Sequence, residues 1–348
     1  MKLAAKTILS LILSLNLSVA SATTPLAYNP ELLISRYASW GIDPDKHLAS
    51  INLKDSWSRF KRNKDVIVAV VDTGIQGDHA FLQGNIFVPG NKKASPSHFG
   101  IDFSGEKISN TPTDAHGHGT HVAGIVKSIF PEVKILALKY YNPKASGQQN
   151  LNATIKALQY AVDQNVDVIN YSGGGPEASV EELRVLKQAE KKGILVIAAA
   201  GNERSNIDDK RNAYYPASYG LSNIITVGAH DDSLNIIPSS NYGKNSVDIA
   251  APGHRIRSAI PGNGAGYMTG TSQATAFVTG VAAMIKSQYP KLQYNQIKDI
   301  ILSSSLKVKS FEGKILGSGK LDAGRAIELA GSVNQKLESN PARAVANR

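Results

Sequence analysis

The 348-residue chain carries 38 Lys and Arg against 28 Asp and Glu, a formal charge of +10, and no cysteine. That length suits one large α/β domain or two ordinary ones, and the missing cysteines exclude disulfides, thiol catalysis, lipid attachment through an N-terminal cysteine and thiolate zinc sites. The basic surplus is scattered, apart from short clusters such as Arg59, Lys61, Arg62 and Lys64. Such scatter describes a solvated surface, so no nucleic-acid partner is expected.

Residues 1–22 read as a separate piece. Lys2 and Lys6 precede an apolar run from Ile8 to Val19, and Ala20-Ser21-Ala22 supplies a small-residue cleavage pattern. This is the layout of a secretory signal, cut after Ala22, and it predicts a secreted or periplasmic protein. A membrane anchor is the alternative, but Ser10, Ser14 and Asn16 interrupt a run already short for a bilayer. Stable membrane insertion after signal removal is not expected. An exported chain without disulfides must draw its stability from a large core or from bound ions.

Residues 23–54 contain Pro25, Pro30 and Pro44 without a sustained period and read as an N-terminal arm. The run VIVAVV from Val66 to Val71 then ends in Asp72-Thr73-Gly74, the pattern of a strand covered on both faces with a polar residue at its C-terminal end. Further strands are predicted at Ile135 to Leu138, Val166 to Asn170, Ile194 to Ala199 and Ile224 to Val227. Helices are predicted at Thr120 to Phe130, Leu151 to Gln164 and Val180 to Lys192. Alternation of this kind predicts an α/β fold with a doubly wound, mostly parallel sheet and helices on both faces. One domain over residues 55–331 is the simplest division, followed by a tail, 332–348, expected to be disordered because it lacks apolar periodicity.

Three stretches carry chemistry. Gly270-Thr271-Ser272-Gln273-Ala274 follows a Gly-rich loop, Pro261 to Gly266, and opens a run of small apolar residues that reads as a buried helix. Ser272 therefore falls in a first turn, where unpaired N–H groups and a partial positive charge suit a developing oxyanion. An N-cap serine is the plainer alternative. The other two stretches are His116-Gly117-His118-Gly119-Thr120-His121 and Asp72-Thr73-Gly74. A serine hydroxyl becomes a useful nucleophile when a base takes its proton and a buried carboxylate orients that base. Taken singly, a strand-ending turn explains Asp72 and structural imidazoles explain the histidines.

DTG after a buried strand, HGTHVAG opening a helix and GTS-x-A opening a later helix, in the order Asp, His, Ser, resemble the subtilisin-like serine proteases, or subtilases. The resemblance covers roughly residues 50–330. It implies a serine endopeptidase with Asp72 as orienting acid, His118, which leads the HGTH tetrad, as general base, and Ser272 as nucleophile. Asn202, in Ala198-Ala199-Ala200-Gly201-Asn202, would be the side-chain donor of an oxyanion hole. Ser172, Gly173, Gly174 and Gly201 would line an extended peptide. Tyr214, before Tyr215-Pro216, would stand near the floor of the primary specificity pocket, with Glu203 near its rim. Protein or peptide substrates, a monomer and no cofactor are expected.

Two departures stand out: Gln273 follows the serine where the family usually has Met, and Ala276 stands where it usually has Pro. The arm also leaves no room for an inhibitor-like propeptide. The strong calcium site of many secreted members is not expected either, since Phe81 replaces an acidic residue and only ten residues separate Gly124 from Ile135. Asp208 and Asp209 are the first carboxylates to consider for any other site. Two rival readings remain. His116, His118 and His121 have the spacing of a metallo-β-lactamase zinc motif, although Thr120 stands where that family has Asp. A non-catalytic binding protein on the same fold is the other.

Overall fold

The computed structural model describes residues 37–46, 48–90 and 92–339. The expected signal segment and the first part of the arm lie outside these residues. Within them a mostly parallel nine-stranded sheet runs in the order β10 (Leu306–Lys307), β11 (Gly319–Lys320), β7 (Ile249–Pro252), β6 (Ile224–His230), β5 (Leu195–Ala199), β4 (Val168–Tyr171), β1 (Ile67–Asp72), β3 (Lys134–Lys139) and β2 (Ile101–Asp102). Its central strands are β1, β3, β4, β5 and β6. Each predicted strand is present, with ends shifted by at most three residues.

Side chains along each central strand alternate between two apolar layers. Val68 and Val70 of β1 join Leu195 and Ile197 of β5 in one core cluster. Ala69 and Val71 join Val196 and Ala198 in the other. Both faces of the sheet are therefore buried, which is why these strands read as continuous apolar runs. The first face is covered by α2 (His118–Ile129) and α5 (Thr271–Gln288), the second by α3 (Gly147–Asp163) and α4 (Val180–Lys191). Asp72 shares the parity of Val68 and Val70, so its carboxylate faces α2. Asn170 and Ser172, in step with Val168, face α5.

Helix α5 is buried along its whole length except at Lys286. A helix enclosed on all sides belongs to the centre of a domain. Phe277 on this helix is 1% exposed, and its truncation to Ala would cost about 3–5 kcal/mol.

Four parts of the sequence reading are revised. In the expected loop at Pro261 to Gly266, residues 261–263 form the turn of an antiparallel hairpin between β8 (Ile256–Ile260) and β9 (Gly264–Met268), and residues 264–266 already belong to β9. The short strands β2 (Ile101–Asp102), β7 (Ile249–Pro252), β10 (Leu306–Lys307) and β11 (Gly319–Lys320) had no recognisable period. The packed unit also begins before residue 55. Trp40 donates to the His254 carbonyl at 2.8 Å, Ile51 is fully buried, and α1 (Leu53–Arg59) lies against the final helix, α7 (Ala323–Ser339), which follows α6 (Tyr294–Ser303). Finally, α7 continues through 332–339, where a disordered tail was expected. Leu329, Val333 and Leu337, one turn apart, hold it on the core, and 340–348 lie outside the described residues.

Candidate active site

The site forms at the C-terminal edge of three adjacent strands, β1, β4 and β5, where parallel sheets gather functional groups. Val71 pairs with Tyr171 and Tyr171 with Ala198, so Asp72, Ser172 and Ala199 stand level in neighbouring strands. Each of the three sequence stretches arrives at this edge.

Asp72 is 3% exposed, and its Oδ1 meets His118 Nδ1 at 2.7 Å and accepts from the Thr73 N–H at 2.7 Å. His118 is the first residue of α2. The helix can come this close because its next residue is glycine: a Cβ on Gly119 would collide with the Gly74 carbonyl and lie 3.1 Å from Asp72 Cβ. Burial pulls the His118 pKa down, but the charge and hydrogen bond of Asp72, with a further contribution from Asp114, more than reverse this and hold it above the ordinary histidine value. The carboxylate thus fixes the ring's orientation and leaves Nε2 as the nitrogen available for proton transfer.

Ser272 occupies the second position of α5, where the backbone N–H has no partner within the helix. Its hydroxyl donates to the Ser172 carbonyl at 2.9 Å, and the Ser172 hydroxyl donates to the Ser272 carbonyl at 3.2 Å. Behind them Asn170 Nδ2 donates to Ser172 Oγ at 2.9 Å, while Asn170 Oδ1 accepts from Thr279 Oγ1 at 2.8 Å. Strand β4 and α5 are therefore pinned together at the serine. On the β5 side, Asn202 Oδ1 accepts from the Thr271 N–H at 3.0 Å. With its oxygen committed, the exposed amide keeps its Nδ2 donors for a ligand.

The peptide-lining candidates also meet here. Gly175 exchanges backbone hydrogen bonds with Tyr215 at 3.0 and 2.7 Å. The Tyr214 ring lies between two of the expected glycine walls: a Cβ on Gly174 would stand 2.5 Å from Tyr214 Cε1, and one on Gly201 3.0 Å from Tyr214 Cδ2. Burial, and then the charges of Glu203 and Glu182, push its phenol pKa well up, so it is neutral throughout the working range. Glu203 Oε2 accepts from Asn241 Nδ2 at 2.6 Å. Gly173 has the Tyr140 hydroxyl against it, and beyond Gly174 and Pro176 opens a cavity of about 490 Å3 that includes Tyr140, Tyr141, Tyr171, Tyr215 and Glu182 in its lining.

The three histidines of the zinc alternative do not converge. His121 is fully buried and its Nε2 donates to the Ile256 carbonyl at 2.9 Å, while His118 is committed to Asp72 and His116 lies exposed with its ring 6.2 Å from that of His118. Among the described residues no three His, Asp or Glu side chains gather as a metal site. Asp208 accepts from the Ser246 N–H at 2.9 Å and Asp209 pairs with Arg211.

One residue of the site escaped the sequence reading. Asp114, 4% exposed, accepts hydrogen bonds from both the Asp72 and the His118 segments. The available signal was an acidic residue four positions before His118, at the start of a helix, where a carboxylate meets free N–H groups.

Comparison with known proteins places these elements in one family. The profile described as Subtilase family matches residues 63–329. The chain is 34% identical over 316 residues to subtilisin-like protease 2 of Plasmodium falciparum, covering 84% of this chain but only 22% of that longer protein. It is 34% identical over 246 residues to the major intracellular serine protease of Bacillus subtilis, covering 68% of this chain and 73% of the relative. Subtilisin DY of Bacillus licheniformis is 34% identical over 256 residues, covering 70% and 85%.

Proposed function

Since this chain belongs to the subtilase family, we propose that it is a serine endopeptidase that hydrolyses protein or peptide substrates through an acyl-enzyme on Ser272. The observation that carries this reading is the 2.7 Å contact between buried Asp72 and His118, one strand away from the Ser172–Ser272 link. A carboxylate in this position holds the imidazole in the tautomer that accepts a proton at Nε2 and stabilises the cation that results.

In this reading the Ser272 hydroxyl leaves the Ser172 carbonyl, gives its proton to His118 Nε2 and attacks the substrate carbonyl. The tetrahedral oxyanion receives hydrogen bonds from the Ser272 N–H and Asn202 Nδ2. A lost side-chain donor of this kind costs about 2.7–4 kcal/mol of transition-state stabilisation in subtilisin itself, a relative of this chain. His118 then protonates the departing amine, and a water molecule activated by the same imidazole releases the acid. Gly173 and Gly174 let an extended substrate approach their backbone as an added strand. Tyr214 shortens the primary pocket, which favours small or medium side chains next to the scissile bond. The chain is read as a monomer, exported by residues 1–22 to the periplasm or beyond.

Ser272→Ala is the direct test. It should abolish hydrolysis of a denatured protein while circular dichroism and thermal unfolding stay those of the parent. Wild-type labelling by a fluorophosphonate at Ser272 separates this reading from a non-catalytic binding protein, which would not react. Retained hydrolysis by Ser272→Ala would refute it.

A further inference from the structure

We propose that Asp114 is a positioning residue for His118, tying the first turn of α2 to the strand that carries Asp72 and setting a second buried negative charge beside the imidazole. The proposal rests on the reading of His118 as general base. Asp114 Oδ1 accepts from Thr73 Oγ1 at 2.8 Å, from the His116 N–H at 3.1 Å and from the Gly117 N–H at 2.7 Å. Its Oδ2 accepts from the Thr120 N–H at 2.9 Å and from Thr120 Oγ1 at 2.7 Å. Thr73 Oγ1, having donated to Asp114, accepts from the Gly119 N–H at 2.9 Å. The chain is thereby held on both sides of His118, at Gly117 and at Gly119–Thr120, and also at Thr73, the residue after Asp72.

The chemistry of this cluster requires an ionised carboxylate. All five contacts are donors to Asp114, three of them backbone N–H groups that have no other role to play. An amide of the same shape presents an NH2 group to at least one of those N–H donors, and a buried donor facing a donor is left unsatisfied. An ordinary helix cap needs one acceptor for one or two N–H groups. Asp114 supplies that and, in addition, a contact to Thr73 at the end of β1, which a cap does not need.

The charge also reaches the imidazole. Burial lowers the His118 pKa, whereas the charges of Asp72 and Asp114 and the hydrogen bond from Asp72 raise it. The other titratable groups facing His118 among the described residues are His116, ring to ring at 6.2 Å, and His121, one turn along the same helix. Asp72 and Asp114 are thus the two anions available to stabilise imidazolium in the transition state, one in contact and one through the frame.

The test is Asp114→Asn in the full chain. The expected result is a kcat at least about tenfold lower with KM little changed, since general acid–base catalysis by a well-placed group is worth about 10²–10⁴-fold. The acid limb of kcat/KM should also move to lower pH, because removing an anion makes imidazolium easier to deprotonate. NMR titration of His118 in a Ser272→Ala background, with and without Asp114→Asn, reads the same shift without turnover. Thr73→Val provides a second variant that keeps the charge but cuts the bridge to Gly119. It should lower kcat while leaving the His118 titration nearly in place. An unshifted His118 titration in Asp114→Asn, with activity loss that only follows the unfolded fraction, overturns the proposal. If Asp114→Asn does not fold, a Thr73→Val variant with wild-type kcat overturns it. Retained hydrolysis by Ser272→Ala alone would instead sink the reading of the site on which the proposal rests.

Discussion

Ser272 and Ser172 exchange hydrogen bonds in both directions, each hydroxyl donating to the other's carbonyl, at 2.9 and 3.2 Å. The candidate nucleophile therefore rests on the strand that lines the substrate, and a turn about its χ1 must free it. Ser172→Ala removes one of the two links and leaves Asn170 Nδ2 without its acceptor. A net loss of about 1–2 kcal/mol in unfolding free energy is expected from the broken pair. Because the first turn of α5 is then loosened, kcat should fall more than KM rises. Urea unfolding and steady-state kinetics on one peptide check both parts, and a variant unchanged in both would remove any role for the Ser172 side chain.

Acid should destabilise the fold through two histidines that perform no chemistry. His121 and His230 are fully buried, and burial pushes both pKa values down to about 4. His230 sits between Trp40 and Phe311, with the Lys320 cation opposing its protonation. The unfolded chain takes up a proton near pH 6.5 and the folded chain does not, so stability is complete above that value and falls as the pH drops toward 4. Each histidine contributes on the order of 3 kcal/mol to that loss, from about 2.5 units at 1.36 kcal/mol per unit. His230→Phe should flatten the decline of melting temperature between pH 6.5 and 4. An equally steep decline in that variant would show that His230 is not one of the groups responsible.

The acid-sensitive histidines and the catalytic candidates differ in how legible they were. Asp72 ends an apolar run and His118 and Ser272 each open one, and the character of those runs fixes a strand or a helix, so their places at element ends were readable. Asp114 is a lone acid in a loop; its importance comes from five donors contributed by Thr73, just past β1, and by the residues that lead into and open α2, and a linear sequence does not show which donors converge. The β8–β9 hairpin was hidden because Gly264-Ala265-Gly266-Tyr267-Met268 offers little alternation and few β-branched residues. The end of α7 was hidden for a different reason. Leu329, Val333 and Leu337 keep a four-residue spacing, but the reading stopped at the polar run that follows Val333.

Specificity should respond to Tyr214. Its ring lies between Gly174 and Gly201, the position proposed above for the floor of the primary pocket. Tyr214→Gly should open that pocket and shift preference next to the scissile bond from small or medium toward large aromatic residues. An extra methylene in such a pocket is worth about 1–3 kcal/mol, so relative kcat/KM should change by at least tenfold. Cleavage profiling of a peptide library decides the matter. A parent enzyme that already prefers large aromatic residues would reject the idea, and a strong preference for basic residues would assign the dominant role to Glu203.

Chelation should leave thermal unfolding nearly unchanged. Calcium needs about six to eight oxygen ligands, and the region where the family's strong site would lie is occupied otherwise. Phe81 stands in place of the expected carboxylate, and α2 runs unbroken from His118 to Ile129, without an inserted loop. From that helix Lys127 extends its ammonium over the Phe81 ring, 4.5 Å from the centroid, and donates to the Phe81 carbonyl. A cation fixed at this place repels a second positive charge. An ion that does not bind the native state cannot stabilise it by mass action. Melting curves in EDTA and in millimolar calcium should therefore superimpose. A fall of many degrees on chelation would refute the expectation and point to a cation held elsewhere, with Asp208 and Asp209 the first carboxylates to test.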